Sequence, residues 1–199
     1  MSRPRPEKLK EALIDEAFAV IEETGVEGLS LREVARRLGV SHQAPYKHFP
    51  SRDHILAAVV ARCFHEFAAH LEARPRREDP FADLGEMGLA YLAYARENPL
   101  KYRLMFNSPL PEGAEHAEML AEARYGFALL HERLKTMALR DPGDGIAEPA
   151  KHDALFILST LHGFASLMQS DVLDTIGLEE GERQIARDRM MRRMGLALA

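Results

Sequence analysis

The chain has 199 residues, 46% hydrophobic and 29% charged, with a formal net charge of −5: enough for one domain or two small ones, and too acidic for indiscriminate polyanion binding. Its one cysteine, Cys63, excludes an intrachain disulfide, suits a reducing compartment and sits among Val59, Val60, Phe64 and Phe67 as a small core residue. The opening Met-Ser-Arg-Pro-Arg-Pro lacks the apolar run of a signal peptide, and the longest uncharged stretch, Leu155 to Ser170, is too short and too polar to span a bilayer, so a cytoplasmic protein without a membrane segment is expected.

Apolar residues recur at intervals of three and four from Leu9 to Met194 and nothing reads as a strand, which predicts an all-α fold. A first helix is expected from about Glu7 to Glu23, with Leu13, Ala17, Val20 and Ile21 on one stripe and Gly25 as its stop. Ser30 then caps a second helix through Leu38. Glu33, three residues on, is placed to reach back to the Ser30 amide, completing a capping box, and Gly39 ends the helix. Ser41 caps a third, short helix to about His48, Phe49-Pro50 stops it, and Ser51 starts a long helix to about Ala73. Two short helices joined by a tight Gly-containing turn form a helix-turn-helix, the geometry that places side chains in a DNA groove.

The charge pattern agrees. From Gly28 to Arg52, the cations Arg32, Arg36, Arg37, Lys47 and Arg52 face a single carboxylate, Glu33, whereas residues 63–199 carry an excess of acid. A basic island on an acidic chain suits phosphate binding confined to the N-terminal end. Pro45 removes an amide that would bond back towards Ser41, so an irregular first turn is expected in the reading helix.

Beyond residue 73, Asp79 caps and Pro80 opens a helix to about Glu97, and Asn98-Pro99 repeats the device for a short helix through Phe106. Helices from about Ala114 to Leu139 and Ala150 to Leu173 follow on either side of the loop RDPGDGIAEP, and a last one begins at Glu179. The expected division is a DNA-reading domain, residues 1–55, and a helical body, residues 56–199.

The run Gly39-Val40-Ser41, Tyr46, His48-Phe49-Pro50-Ser51 and Leu56 resembles the TetR family of one-component transcriptional regulators, with Arg52 where lysine is commoner. The stretches Ala90–Phe106 and Phe156–Leu167 are similar to a subgroup of its bodies marked by a Trp-His-Gly triplet, here Leu161-His162-Gly163. The resemblance implies an N-terminal three-helix DNA-binding domain and a C-terminal antiparallel helical ligand-binding and dimerisation domain. It implies a homodimer on a near-palindromic double-stranded operator, with Ser30, Arg32, Ser41, His42, Gln43, Pro45, Tyr46, Lys47, His48 and Arg52 at the DNA. Gln43 is the candidate base reader, and Tyr46, Lys47, His48 and Arg52 are expected mainly at phosphates, with helix packing the alternative for Tyr46 and His48. Arg3, Arg5, Lys8 and Lys10 suit the DNA backbone, the minor groove or a disordered tail. The helices over 114–139 and 150–173 resemble the family's dimer-forming pair, with Gly163 permitting close approach.

The effector is expected among Phe67, Met87, Tyr91, Tyr94, Tyr102, Met105, Phe106, Tyr125, Phe127, Phe156 and Met168, with His131 or His162 as polar contacts. Such walls favour a small hydrophobic molecule. Two other classes find little support: no Gly-x-Ser-x-Gly, Walker or Gly-x-Gly-x-x-Gly motif suggests an enzyme, and no Glu-x-x-His or His-x-x-x-His pair suggests a metal-binding bundle. No catalytic group, cofactor or metal is therefore expected. A fold that keeps this shape but binds a partner protein instead of DNA stays open.

Overall fold

The computed structural model describes residues 6–108, 111–112, 115–138 and 149–197, and within them no strand occurs. The helices are α1 (Pro6–Thr24), α2 (Leu31–Arg37), α3 (Arg52–Glu72), α4 (Pro80–Glu97), α5 (Pro99–Phe106), α6 (Ala117–Ala138), α7 (Pro149–Met168), α8 (Val172–Thr175) and α9 (Glu180–Ala197), with 3₁₀ turns at Val26–Gly28 and Pro45–Lys47. Arg3 and Arg5, and the expected loop between α6 and α7 apart from Pro149, lie outside the described residues. The chain forms two compact units, Met1–His65 with Arg103–Ala123, and Glu66–Tyr102 with Arg124–Ala199; α3, α5 and α6 contribute residues to both.

Local chemistry sets most boundaries as expected. Gly25 (φ 77°) and Gly39 (φ 65°) take the left-handed conformation that ends α1 and α2. The Asp79 carboxylate accepts from the Ala82 amide at 2.7 Å, with Pro80 at the first position of α4. Three expectations change. The third helix is a turn followed by the 3₁₀ segment Pro45–Lys47, because Pro45 has no amide to give to Ser41; Ala44 N–H bonds Ser41 O instead, at 2.9 Å. The helix expected from residue 114 starts at Ala117. The helix expected to run to Leu173 stops at Met168, and α8 covers Val172–Thr175 separately.

In the first unit, Leu13, Ala17, Val20 and Ile21 of α1 pack in a core with Leu31, Val34 and Ala35 of α2 and with Phe49, Ile55 and Val59, all buried. In the second, α4 lies against α7 and α9. Gly88 marks that approach: a Cβ there would fall 2.6 Å from Met191 Cε of α9. Cys63 is buried, as a core residue should be.

The second unit also buries a charged cluster. Asp83, with no exposed surface, accepts from the Arg77 amide at 2.9 Å and Arg74 Nη2 at 3.0 Å, and pairs with Arg133 Nη2 at 2.9 Å. Arg74 Nη1 also donates to Leu71 O at 2.7 Å. One carboxylate thus ties the residues after α3 to α4 and α6. Burial alone would raise its pKa, but the Arg77 amide and the two guanidinium charges hold it below the ordinary carboxylate range.

Candidate nucleic-acid interface

The reading segment is built by its own short-range bonds. Ser30 Oγ accepts the Glu33 amide at 3.2 Å, fixing the start of α2. The reciprocal half of the expected capping box does not form: Glu33 turns instead to Arg36 (2.6 Å to Nη2) and Arg37 (2.8 Å to Nε), which hold its carboxyl down at about 2. Arg37 also forks onto Glu23 at 2.9 and 2.7 Å. Two of the five cations of the basic island are therefore engaged within the unit.

Arg52 is engaged as well. Its Nε donates to Leu29 O at 3.1 Å and its Nη2 to Val26 O at 2.5 Å, while Nη1 lies 3.5 Å from Asp53. Its visible role is to pin the turn between α1 and α2 to the start of α3, a role with no sequence signal beyond its charge. Pro45 is buried within the 3₁₀ turn. His48 is half-buried beside Phe49, with ring centroids 6.5 Å apart.

What remains outward forms one patch. Arg32, His42, Gln43 and Tyr46 line an open concavity of about 600 Å³, and Ser41 and Lys47 are exposed on the same short segment. Among the described residues neither Arg32 nor Lys47 has an acidic partner within salt-bridge distance. Two cations, an amide and a phenol on one exposed patch can meet phosphates and base edges together.

The expected effector residues fall into separate groups. Met105 is buried in the first unit, where Phe106 packs edge-on to Phe64 at 5.8 Å. In the second unit Phe67 lies edge-on to both Tyr91 and Tyr94, and Met87 is buried. Tyr125 is exposed and donates to Glu72 Oε1 at 2.8 Å, His131 stacks on Phe127 with centroids 6.1 Å apart, and Phe156 is exposed.

One polar chain runs through this aromatic group. The Tyr91 and Tyr102 hydroxyls are 2.9 Å apart, Tyr102 Oη is 2.6 Å from His162 Nδ1, and Ser166 Oγ is 3.5 Å from His162 Nε2. Burial raises both phenol pKa values, that of Tyr102 to about 12, and lowers that of His162, so at neutral pH the phenols are neutral donors. Tyr102→Phe removes a buried hydroxyl that meets both Tyr91 and His162, and we expect a loss of about 1–3 kcal/mol of stability, seen as a lower midpoint in urea. An unchanged midpoint would mean the chain carries no structural load.

The second unit also holds a cavity of about 320 Å³ that the sequence did not reveal, between α4, α7 and α9. Of the expected effector residues, only Met168 lines it. The other side chains come from α4 (89–96), the end of α7 (164–169) and the start of α9 (180–187), segments that share no sequence pattern.

Residues 13–59 match the family model described as bacterial regulatory proteins, tetR family, and residues 84–194 match the tetracyclin repressor-like C-terminal domain. An uncharacterized HTH-type transcriptional regulator of Mycobacterium tuberculosis is 30% identical over 176 residues, 86% of this chain and 76% of that protein. A protein of unknown function from Rhodococcus sp. RHA1 superposes with a TM-score of 0.71 at 28% identity, covering 92% of this chain and 94% of that one. A TetR variant from Acinetobacter baumannii AYE, in complex with minocycline, shares the fold with a TM-score of 0.60 at 17% identity over 94% of both chains. Because the matched models cover both the exposed turn and most of the helices that follow it in the chain, the chain belongs to the TetR family of DNA-binding transcriptional regulators.

Proposed function

We propose that the protein is a ligand-responsive repressor of the cytoplasm that binds a near-palindromic operator as a homodimer and leaves it when a small hydrophobic effector enters its second unit. The observation that carries the reading is the exposed cluster of His42, Gln43, Tyr46 and Lys47 beside Arg32. A two-fold pair of such turns, about one helical repeat apart, reads inverted half-sites. Support for a dimer comes from α7, where Leu155, Phe156 and Leu167 are exposed and, its own turn of helix aside, no described residue comes within 4 Å of a Cβ built at Gly163. The TetR relative with minocycline supports a small-molecule effector. Effector and operator then oppose each other by linkage, each weakening the other's binding by the same factor, typically about 5- to 150-fold.

Selection of bound sites from a random duplex pool tests DNA binding, symmetry and spacing in one experiment. Lys47→Ala should weaken selected and unrelated duplexes alike and flatten the dependence of log affinity on log salt by about one unit. Gln43→Ala should instead relax preference at one base pair per half-site by about 5- to 150-fold. If both variants bind the selected duplex as the parent does, the reading turn is misassigned.

A further inference from the structure

We propose that the cavity between α4, α7 and α9 is a binding site for a small amphipathic carboxylate, an apolar chain or ring ending in one acid group. The proposal rests on the effector reading above and gives that effector a place and a chemical class.

The cavity is two-sided. Leu92 and Ala93 of α4 and Phe164 and Met168 of α7 form an apolar wall. Facing it, the first turns of α9 contribute Arg183, Gln184 and Arg187, and the end of α4 contributes Arg96. Among the described lining residues Glu180 is the one acid, so three guanidiniums meet a single carboxylate there on a chain whose total charge is negative. At about 320 Å³ the volume lies near the lower end of ordinary ligand pockets, which run from roughly 300 to 1,000 Å³.

The guanidiniums are held in ways that suit an incoming anion. Arg183 is nearly buried and fixed, its Nε donating to Leu178 O at 2.8 Å and its Nη2 paired with Asp174, which leaves Nη1 without a partner among the described residues. Among the described residues Arg96 and Arg187 pair with their chain neighbours, Glu97 at 3.1 Å and Asp188 at 2.9 Å. Exposed pairs of that kind contribute little and exchange readily for a ligand carboxylate. Neither Glu97, Asp174 nor Asp188 lines the cavity. A fork of fixed N–H groups opposite an apolar wall recognises a carboxylate at one end and excludes a second charge at the other.

The test uses the full chain with octanoate and its neutral counterpart 1-octanol, followed by calorimetry. Octanoate should bind once per chain, at least tenfold more tightly than octanol. Arg187→Gln, a change at a half-exposed position, should weaken octanoate at least fivefold and leave octanol unaltered. Ala93→Trp, which fills the cavity, should abolish both while the circular dichroism spectrum and melting curve stay those of the parent. Equal affinity for the two probes, discrimination that survives Arg187→Gln, octanoate binding that survives Ala93→Trp, or no octanoate binding at millimolar concentration would each overturn the assignment. A duplex selected from the random pool separates the two readings. Octanoate that binds as described but leaves the duplex occupied upholds the site and removes its effector role. Release by an uncharged compound that octanoate does not displace upholds the repressor and overturns this site as its switch.

Discussion

Asp83→Ala should be among the most damaging single substitutions in the second unit, lowering stability by about 3–5 kcal/mol, the range found when one partner of a buried ion pair is removed. The carboxylate is fully buried and faces the buried guanidinium of Arg74 and the partly exposed one of Arg133, so its loss strips both of the anion they share. Among the described residues the Nε atoms of Arg74 and Arg133 already lack hydrogen-bond partners. For a chain of this length the melting temperature should fall by roughly 6–20 °C in calorimetry.

The pH dependence gives a second check. Asp83 titrates below its ordinary value in the folded protein, so its contribution is complete above about pH 4 and is lost as pH falls through the depressed value. The gap between parent and variant should therefore close on acidification. A variant that melts with the parent at neutral pH would show that the two arginines find other partners and that the cluster is dispensable.

Phe156→Glu should have the largest effect on DNA binding of any change outside the reading turn. Phe156 is 46% exposed and Leu155 59%, on a face of α7 where Gly163 also meets open space. An apolar stripe of this kind is costly in water, and in the dimer proposed above a second copy would cover it. A carboxylate there would then bring two like charges together across that interface. Light scattering at micromolar concentration should show monomers in place of dimers. Operator affinity should fall about 100-fold or more, because two linked half-site contacts gain that much over one. Dimers that persist with unchanged affinity would place the assembly surface elsewhere.

Much of this fold is legible in the sequence because it is written in local chemistry. Ser30, Gly39, Asp79-Pro80 and Asn98-Pro99 act within four residues of themselves, and the structure places α2, α4 and α5 where they indicate. Pro45 announced an irregular turn, but whether α-helix or 3₁₀ wins depends on neighbours such as Phe49, buried against the core. Side-chain commitments were less readable. The spacing that suits Glu33 to a capping box does not show that it binds two arginines, and the charge of Arg52 does not show that it bridges carbonyls 23 and 26 residues away in sequence. The same limit hid the α4, α7, α9 cavity, whose walls lie up to about a hundred residues apart along the chain, so no spacing rule joins them. The aromatic residues were visible as a set, but their division between two units follows from tertiary packing that periodicity does not encode.

The reading turn has a consequence for what keeps it in shape. Its exposed Tyr46 and Lys47 follow a buried proline, so the segment is anchored by a ring of fixed φ and has one amide fewer than an α-helix would use. Pro45→Ala would restore that amide and with it the α-helical alternative, a lever on the aim of the neighbouring side chains that leaves their chemistry untouched.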